Sequence, residues 1–188
     1  MNAAPAPITL ERTGAYPAGL MAVLATVTML FAAFTAALLV RRTGHDWVPV
    51  DLPPIVWVNA AVILASSIAV EMARQAARAG IPPLALMRVA GALALGLVFL
   101  TGQVLAWRAL AARGVFLPTT PHAAFFYLLS AVHGAHVLGG LGALGWALRR
   151  LSRTPLLPLA RATLTQVAVF WHFVGALWLY LLVVLTIL

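Results

Sequence analysis

Five long, almost uncharged apolar segments dominate this chain, and short connections rich in proline, glycine and arginine separate them. A helix that crosses a bilayer needs about 20 mostly apolar residues. The segments that meet this length are Ala18–Val40, Ile55–Ala73, Leu84–Ala112, Ala123–Leu148 and Ala162–Leu188. The sequence therefore predicts an all-α fold, an integral membrane bundle of five transmembrane helices.

The charged-residue content supports this prediction. Only 9% of the residues are charged and the mean hydropathy is +1.01, whereas soluble domains are about 25% charged. The chain has no cysteine, which excludes disulfides and thiolate metal sites. Its net charge of +8 does not indicate nucleic-acid binding, because the arginines stand between apolar runs, where they mark topology and meet lipid headgroups.

The arginines also predict an orientation. One side of the predicted bundle holds Arg12, Arg74, Arg78, Arg88, Arg149, Arg150, Arg153 and Arg161, and the other holds Arg41, Arg42, Arg108 and Arg113. The positive-inside rule then places the N-terminus in the cytoplasm and the C-terminus outside. Residues 1–17, rich in alanine and proline, are expected to form a mobile tail before a single transmembrane domain at residues 18–188.

Three histidines are the sharpest candidates for chemistry inside the membrane. His133 and His136 share one face of the fourth segment, and His172 lies in the fifth. They are able to serve as ligands of a metal or of a bis-histidine haem, or as neutral groups that hydrogen-bond between helices. The second interpretation is favoured, because a buried divalent metal normally recruits carboxylates or thiolates and neither segment has one.

The remaining polar residues within the spans indicate packing. Asn59 and Gln103 are predicted to form an interhelical polar core together with His133, His136 and His172. Trp57 is expected at the membrane interface. Of the acidic residues only Glu71 falls within a span, near its end, so the chain is not expected to conduct protons by itself. No catalytic or nucleotide-binding motif is visible.

Motifs in the second and third segments have the order found in a known family. Trp57, Asn59, Ser66 and Ser67 follow the pattern W-x-N-T…LL-x-S-S, apart from an alanine in place of the threonine and Ile63 in place of the first leucine. Gly96, Phe99 and Gln103 follow the pattern G-x-x-F-x-x-x-Q.

The fourth and fifth segments continue the match. The fourth carries most of F-Y-x-x-T-G-x-H-G-x-H-V, with Phe126, Tyr127, His133, Gly134, His136 and Val137 in place. The fifth carries most of Y-W-H-F-V-D-x-x-W, with Trp171, His172, Phe173, Val174 and Trp178 in place. From about Trp57 onward the chain resembles cytochrome c oxidase subunit III of the short, five-helix bacterial type.

The resemblance implies a subunit without haem or copper of its own and without catalytic activity. Such a subunit packs against subunit I of a haem-copper oxidase, in a complex that also contains subunit II and oxidises cytochrome c or quinol in the bacterial inner membrane. It also binds phospholipids, and by alignment Arg150 corresponds to a basic residue near a lipid phosphate. Trp57 and Arg150 are therefore the predicted lipid-binding residues.

Two acidic positions of the family pattern are missing. Ala106 stands where the family commonly has a glutamate, and Gly175 replaces the aspartate of the fifth motif. Any proton-related role of those acids is therefore in doubt for this chain. Two alternatives stay open at this point: a subunit III-like accessory protein of nitric oxide reductase, and a bis-histidine haem membrane redox protein.

Overall fold

The computed structural model describes residues 15–153 and 158–187, which form five α-helices and no strand. The helices are α1 (Ala15–Arg42), α2 (Ile55–Arg78), α3 (Pro82–Ala112), α4 (Pro121–Arg153) and α5 (Pro158–Ile187). Each is long and apolar enough to cross a membrane. The predicted all-α membrane bundle is therefore confirmed, and its orientation stays a prediction.

The helices extend beyond the apolar segments that predicted them. For example, α2 continues past Ala73 to Arg78, and α4 runs to Arg153 instead of Leu148. Alanine, glutamine and arginine favour helix, so a helix does not stop where hydrophobicity falls. The predicted tail at residues 1–17 lies outside the described residues, apart from the last three residues, which belong to α1.

Glycines with positive φ end α2 and α3. Gly80 has φ 73° and Gly114 has φ 76°, a region that glycine enters without steric cost. The amides of Gly80 and Ile81 donate to the carbonyls of Ala77 and Ala76. The same pair of bonds recurs after α3, so each helix closes in a Schellman motif that uses its last carbonyls before the chain reverses.

Four of the helices form a closed ring. α2 packs against α3, α3 against α4, α4 against α5, and α5 against α2, while α1 lies outside this ring and contacts α4 and α5. The ends of α2 and α4 and the starts of α3 and α5 therefore lie at one end of the bundle. Arginines are concentrated at this arginine-rich end: Arg74, Arg78, Arg88, Arg149, Arg150, Arg153 and Arg161.

A buried tryptophan sets the spacing of three helices. The Trp171 side chain is fully buried, and its six-membered ring lies between the backbones of Gly96 on α3 and Gly140 on α4. A Cβ atom on Gly96 would lie 2.8 Å from Trp171 Cη2, and one on Gly140 would lie 2.9 Å from Trp171 Cε3. Only glycine at both positions lets the ring fit between the helices.

Candidate functional site

Buried side-chain hydrogen bonds join α2 to α3. The Asn59 amide donates from Nδ2 to the Phe99 carbonyl at 3.3 Å. The side chain packs so closely on α3 that a Cβ atom on Gly102 would lie 2.0 Å from Asn59 Oδ1. The structure thus places the Asn59 side chain between α2 and α3, and its predicted membership of one polar core with the histidines stays a prediction.

Ser66 connects three helices at one point. Its hydroxyl donates to the Ala92 carbonyl of α3 at 2.8 Å and accepts from Trp171 Nε1 of α5 at 3.1 Å. The sequence analysis noted Ser66 only as part of a motif. Its role is visible only once α2, α3 and α5 are brought together, because its partners are distant in sequence.

Gln103 and His133 lie in the apolar centre of the ring. The His133 ring stacks on Trp178 with centroids 5.1 Å apart, and Phe99 meets His133 edge-on at 5.8 Å. The side-chain polar atoms of Gln103 and both ring nitrogens of His133 make no hydrogen bond to the described residues. Their predicted place in an interhelical hydrogen-bond core therefore stays a prediction.

His136 contacts a different helix from those that His133 contacts. Its Nδ1–H donates to the Val132 carbonyl, one turn earlier on α4, at 2.8 Å. The ring contacts Phe31 of α1 edge-on, with centroids 5.7 Å apart. His136 therefore contributes to the contact between α1 and α4 through its ring, and its hydrogen bond stays within its own helix.

His172 belongs to a polar group between α2 and α5, which we call the Glu71 cluster: Ser67, Glu71, Arg74 and His172. His172 Nδ1 is hydrogen-bonded to the Ser67 hydroxyl, and Nε2 lies 3.6 Å from Glu71 Oε2. Arg74 donates to both Glu71 oxygens, from Nε at 2.9 Å and from Nη2 at 2.8 Å. With the hydrogen on Nε2, His172 points its N–H at the carboxylate and accepts from Ser67.

The two departures from the family motifs lie in well-packed surroundings. Ala106 is fully buried within the bundle. A Cβ atom on Gly175 would meet Ile63 Cγ1 at 3.8 Å and Ser67 Oγ at 3.9 Å, which is ordinary contact. A side chain at residue 175 would therefore start beside Ser67, one turn from Glu71.

His122 is a structural residue that the sequence analysis missed. The Val50 amide donates to its Nδ1 and its Nε2–H donates to the Leu185 carbonyl, both at 3.0 Å. The ring is buried beneath Trp47, with centroids 5.3 Å apart. His122 thus ties the connection before α2 and the last turn of α5 to the start of α4, opposite the arginine-rich end.

Loss of His122 is expected to weaken this end of the bundle. His122→Ala leaves the Val50 amide and the Leu185 carbonyl without their partner and empties the space under Trp47. We expect the free energy of unfolding to fall by about 1–3 kcal/mol, measured by denaturant titration of tryptophan fluorescence in detergent. The control is His45→Ala, in the exposed turn after α1. Equal effects of the two variants would contradict this role.

The two predicted lipid-binding residues lie at opposite ends of the bundle. Trp57 is exposed in the first turn of α2. Arg150 lies in the last turn of α4, where its guanidinium carbon is 5.2 Å from the centre of the Trp146 ring. A shallow cavity of about 300 Å³ lies at the arginine-rich end and is lined by Trp146, Arg149, Arg150 and Arg153.

The three predicted histidines face three different neighbours. His133 contacts α3 and α5, His136 contacts α1, and His172 contacts α2. Within residues 15–153 and 158–187, no three His, Cys, Asp or Glu side chains come together in a group that could hold a metal ion.

Comparison with known proteins points to one protein family. The family model described as cytochrome c oxidase subunit III matches residues 18–188. A probable cytochrome c oxidase subunit 3 of Nocardia farcinica is 29% identical over 178 residues, covering 91% of this chain and 87% of that protein. Its counterpart in Mycobacterium tuberculosis is 34% identical over 91 residues, which cover 48% of this chain and 45% of the relative. The match thus spans about half the length of the mycobacterial relative.

Proposed function

The chain belongs to the cytochrome c oxidase subunit III family, and we propose that it acts as the non-catalytic third subunit of a haem-copper terminal oxidase. In this role it stabilises subunit I, in a complex with subunit II. Oxygen reduction, haem and copper belong to the partner subunits, and this chain supplies helix-packing surfaces and phospholipid sites.

The separate placement of the three histidines carries the non-catalytic part of this proposal. Each ring packs against a different helix, and His136 and His172 use a ring nitrogen in a hydrogen bond within the bundle. The polar groups of α2 are similarly engaged, since Asn59 and Ser66 bond to carbonyls of α3. These are the bonds of a packed membrane bundle, and they support a structural subunit over a haem carrier.

The arginine distribution supports an orientation with the arginine-rich end in the cytoplasm. Short connections enriched in arginine stay on the cytoplasmic side, and α1 and α3 both start at this end. We therefore place the N-terminus in the cytoplasm and the C-terminus outside, in a multi-pass protein of the bacterial inner membrane.

Bound phospholipid is the second part of the proposal. The cavity lined by Trp146, Arg149, Arg150 and Arg153 offers guanidinium groups next to an aromatic ring at the membrane boundary. Guanidinium groups pair with phosphate through charge-assisted hydrogen bonds. At the opposite end, the exposed Trp57 has the position of an interfacial anchor.

Capture of partner proteins tests the function. We expect the tagged full-length chain, purified from its native membrane in mild detergent, to bring down haem-copper subunits I and II, identified by mass spectrometry. The reduced-minus-oxidised optical spectrum of the preparation should show haem. After this chain alone is stripped away, all of that haem should stay with the partner subunits.

Two outcomes would contradict the proposed function. A chain that purifies alone and keeps its own haem would be a redox protein. Capture of nitric oxide reductase subunits in place of oxidase subunits would assign the chain to a different complex.

A further inference from the structure

We propose that a transmembrane helix of a partner subunit packs over the Glu71 cluster and presents a hydrogen-bond acceptor to Arg74. This inference rests on the proposed function, because it names the surface through which the chain would join a larger complex.

The cluster lies within the hydrocarbon depth of the membrane. Glu71 is between four and five residues past the middle of α2 (Ile55–Arg78), which corresponds to ~7 Å along the helix axis. His172 is at the middle of α5 (Pro158–Ile187). The hydrocarbon core extends about 15 Å to either side of the bilayer centre, so both side chains lie among lipid tails unless a protein covers them.

The cluster is also open to its surroundings. The side chains of Glu71, Arg74 and His172 are 31%, 25% and 37% exposed. Charged groups at this depth normally face a bundle interior, because lipid tails give them no hydrogen bonds. A charged cluster whose side chains stay 25–37% exposed in its own chain therefore indicates that another protein completes the cover.

The direction of Arg74 distinguishes this surface from a lipid-headgroup site. A long side chain near a helix end usually extends toward the interface, where phosphates lie. Arg74 instead turns back by one turn to Glu71, toward the bilayer centre. Its bonds to the described residues use Nε and Nη2, so Nη1 remains as a donor. The complementary partner is an acceptor at the same depth, such as a hydroxyl, amide or carboxylate side chain.

The surface beside the cluster is apolar and exposed on α2. Leu64 and Ile68 are exposed on the same side of α2 as Glu71, which follows them by seven and three residues. Among the described residues α1 packs on α4 and α5 and does not pack on α2. The side of α2 that carries the cluster is therefore not covered by α1, and it presents exposed apolar side chains next to a polar centre.

Site-specific photo-crosslinking in the native membrane tests this proposal. The chain has no cysteine, so a single engineered cysteine can carry a photoreactive label at Leu64 or Ile68. The matched controls are Val98 and Leu105, which are exposed on α3, a helix that contributes no residue to the cluster. We expect Leu64 and Ile68 to crosslink to a transmembrane peptide of an oxidase subunit at a yield about tenfold above the controls.

A paired substitution tests the polar contact separately. Glu71→Leu/Arg74→Leu removes both charges at once, and we expect the oxidase subunits captured per chain to fall about tenfold, a factor that corresponds to the loss of one charge-assisted hydrogen bond. The control Arg41→Leu/Asp46→Leu removes an exposed ion pair at the opposite end, and capture should stay unchanged. The far-ultraviolet circular dichroism of each variant shows that the helices are intact.

The outcomes separate this inference from the proposed function. Crosslinks to lipid alone, or to a second copy of this chain, overturn the inference, even when subunits I and II are still captured. Unchanged capture by Glu71→Leu/Arg74→Leu also overturns it. Failure to capture any oxidase subunit with the unmodified chain would instead overturn the proposed function.

Discussion

Gly140→Val is expected to lower the free energy of unfolding of the bundle by about 2–3 kcal/mol, because extra methyl groups in a filled core force side chains and backbone apart. A Cβ atom at this position would lie 2.9 Å from both Cε3 and Cζ3 of Trp171. The ring has no room to move away, because its Cζ2 and Cη2 atoms lie equally close to the Gly96 position on α3.

The measurement is denaturant unfolding in detergent micelles, followed by tryptophan fluorescence. Gly139→Val is the matched control, since it makes the same change one residue earlier and no atom lies within 4 Å of its added Cβ. This control carries the same cost in helix propensity. Gly96→Val should behave like Gly140→Val, with Gly91→Val as its control. If Gly139→Val destabilises as much as Gly140→Val, then propensity and not packing explains the loss.

Glu71→Gln is expected to destabilise the isolated chain by about 2–3 kcal/mol, because it leaves the Arg74 guanidinium without a counter-charge at membrane depth. The two bonds from Arg74 to Glu71, at 2.9 and 2.8 Å, form a bidentate pair in the intact chain. Glu71→Leu/Arg74→Leu should recover most of the loss, because replacement of both partners by apolar groups leaves no unpaired charge.

Comparison of the single and double variants isolates the charge effect. Both variants are unfolded in detergent micelles and lose the same helical structure on unfolding. The difference between their free energies of unfolding therefore reports the cost of the unpaired guanidinium. A double variant as unstable as Glu71→Gln would show that packing around the cluster, and not its charge, stabilises α2 against α5.

The sequence predicted the architecture well because the bilayer imposes a strong constraint. A segment inside lipid must satisfy its backbone polar groups internally, so about 20 apolar residues imply a helix. All five spans were predicted in this way, and their boundaries were short by a few residues because helix propensity continues beyond the apolar residues. The family motifs, with their tryptophans, glycines and histidines in fixed order, were also readable without a structure.

The site was harder to predict, because residue identity does not say which side of a helix meets which neighbour. His133, His136 and His172 were predicted to form one group, yet each contacts a different helix: His133 contacts α3 and α5, His136 contacts α1, and His172 contacts α2. No sequence pattern indicated the roles of Ser66 and His122. Each of them bonds to two other parts of the chain that are distant in sequence.

The sequence by itself determined that this is a five-helix membrane protein, since length and hydrophobicity alone fix what a lipid environment permits. Only the tertiary structure decided that Glu71, near the end of the second predicted span, lies against His172, in the middle of α5. Contacts of this kind depend on the rotation and depth of two helices packed against each other. Those are set by shape, here by a tryptophan held between two glycines, and no local pattern encodes them.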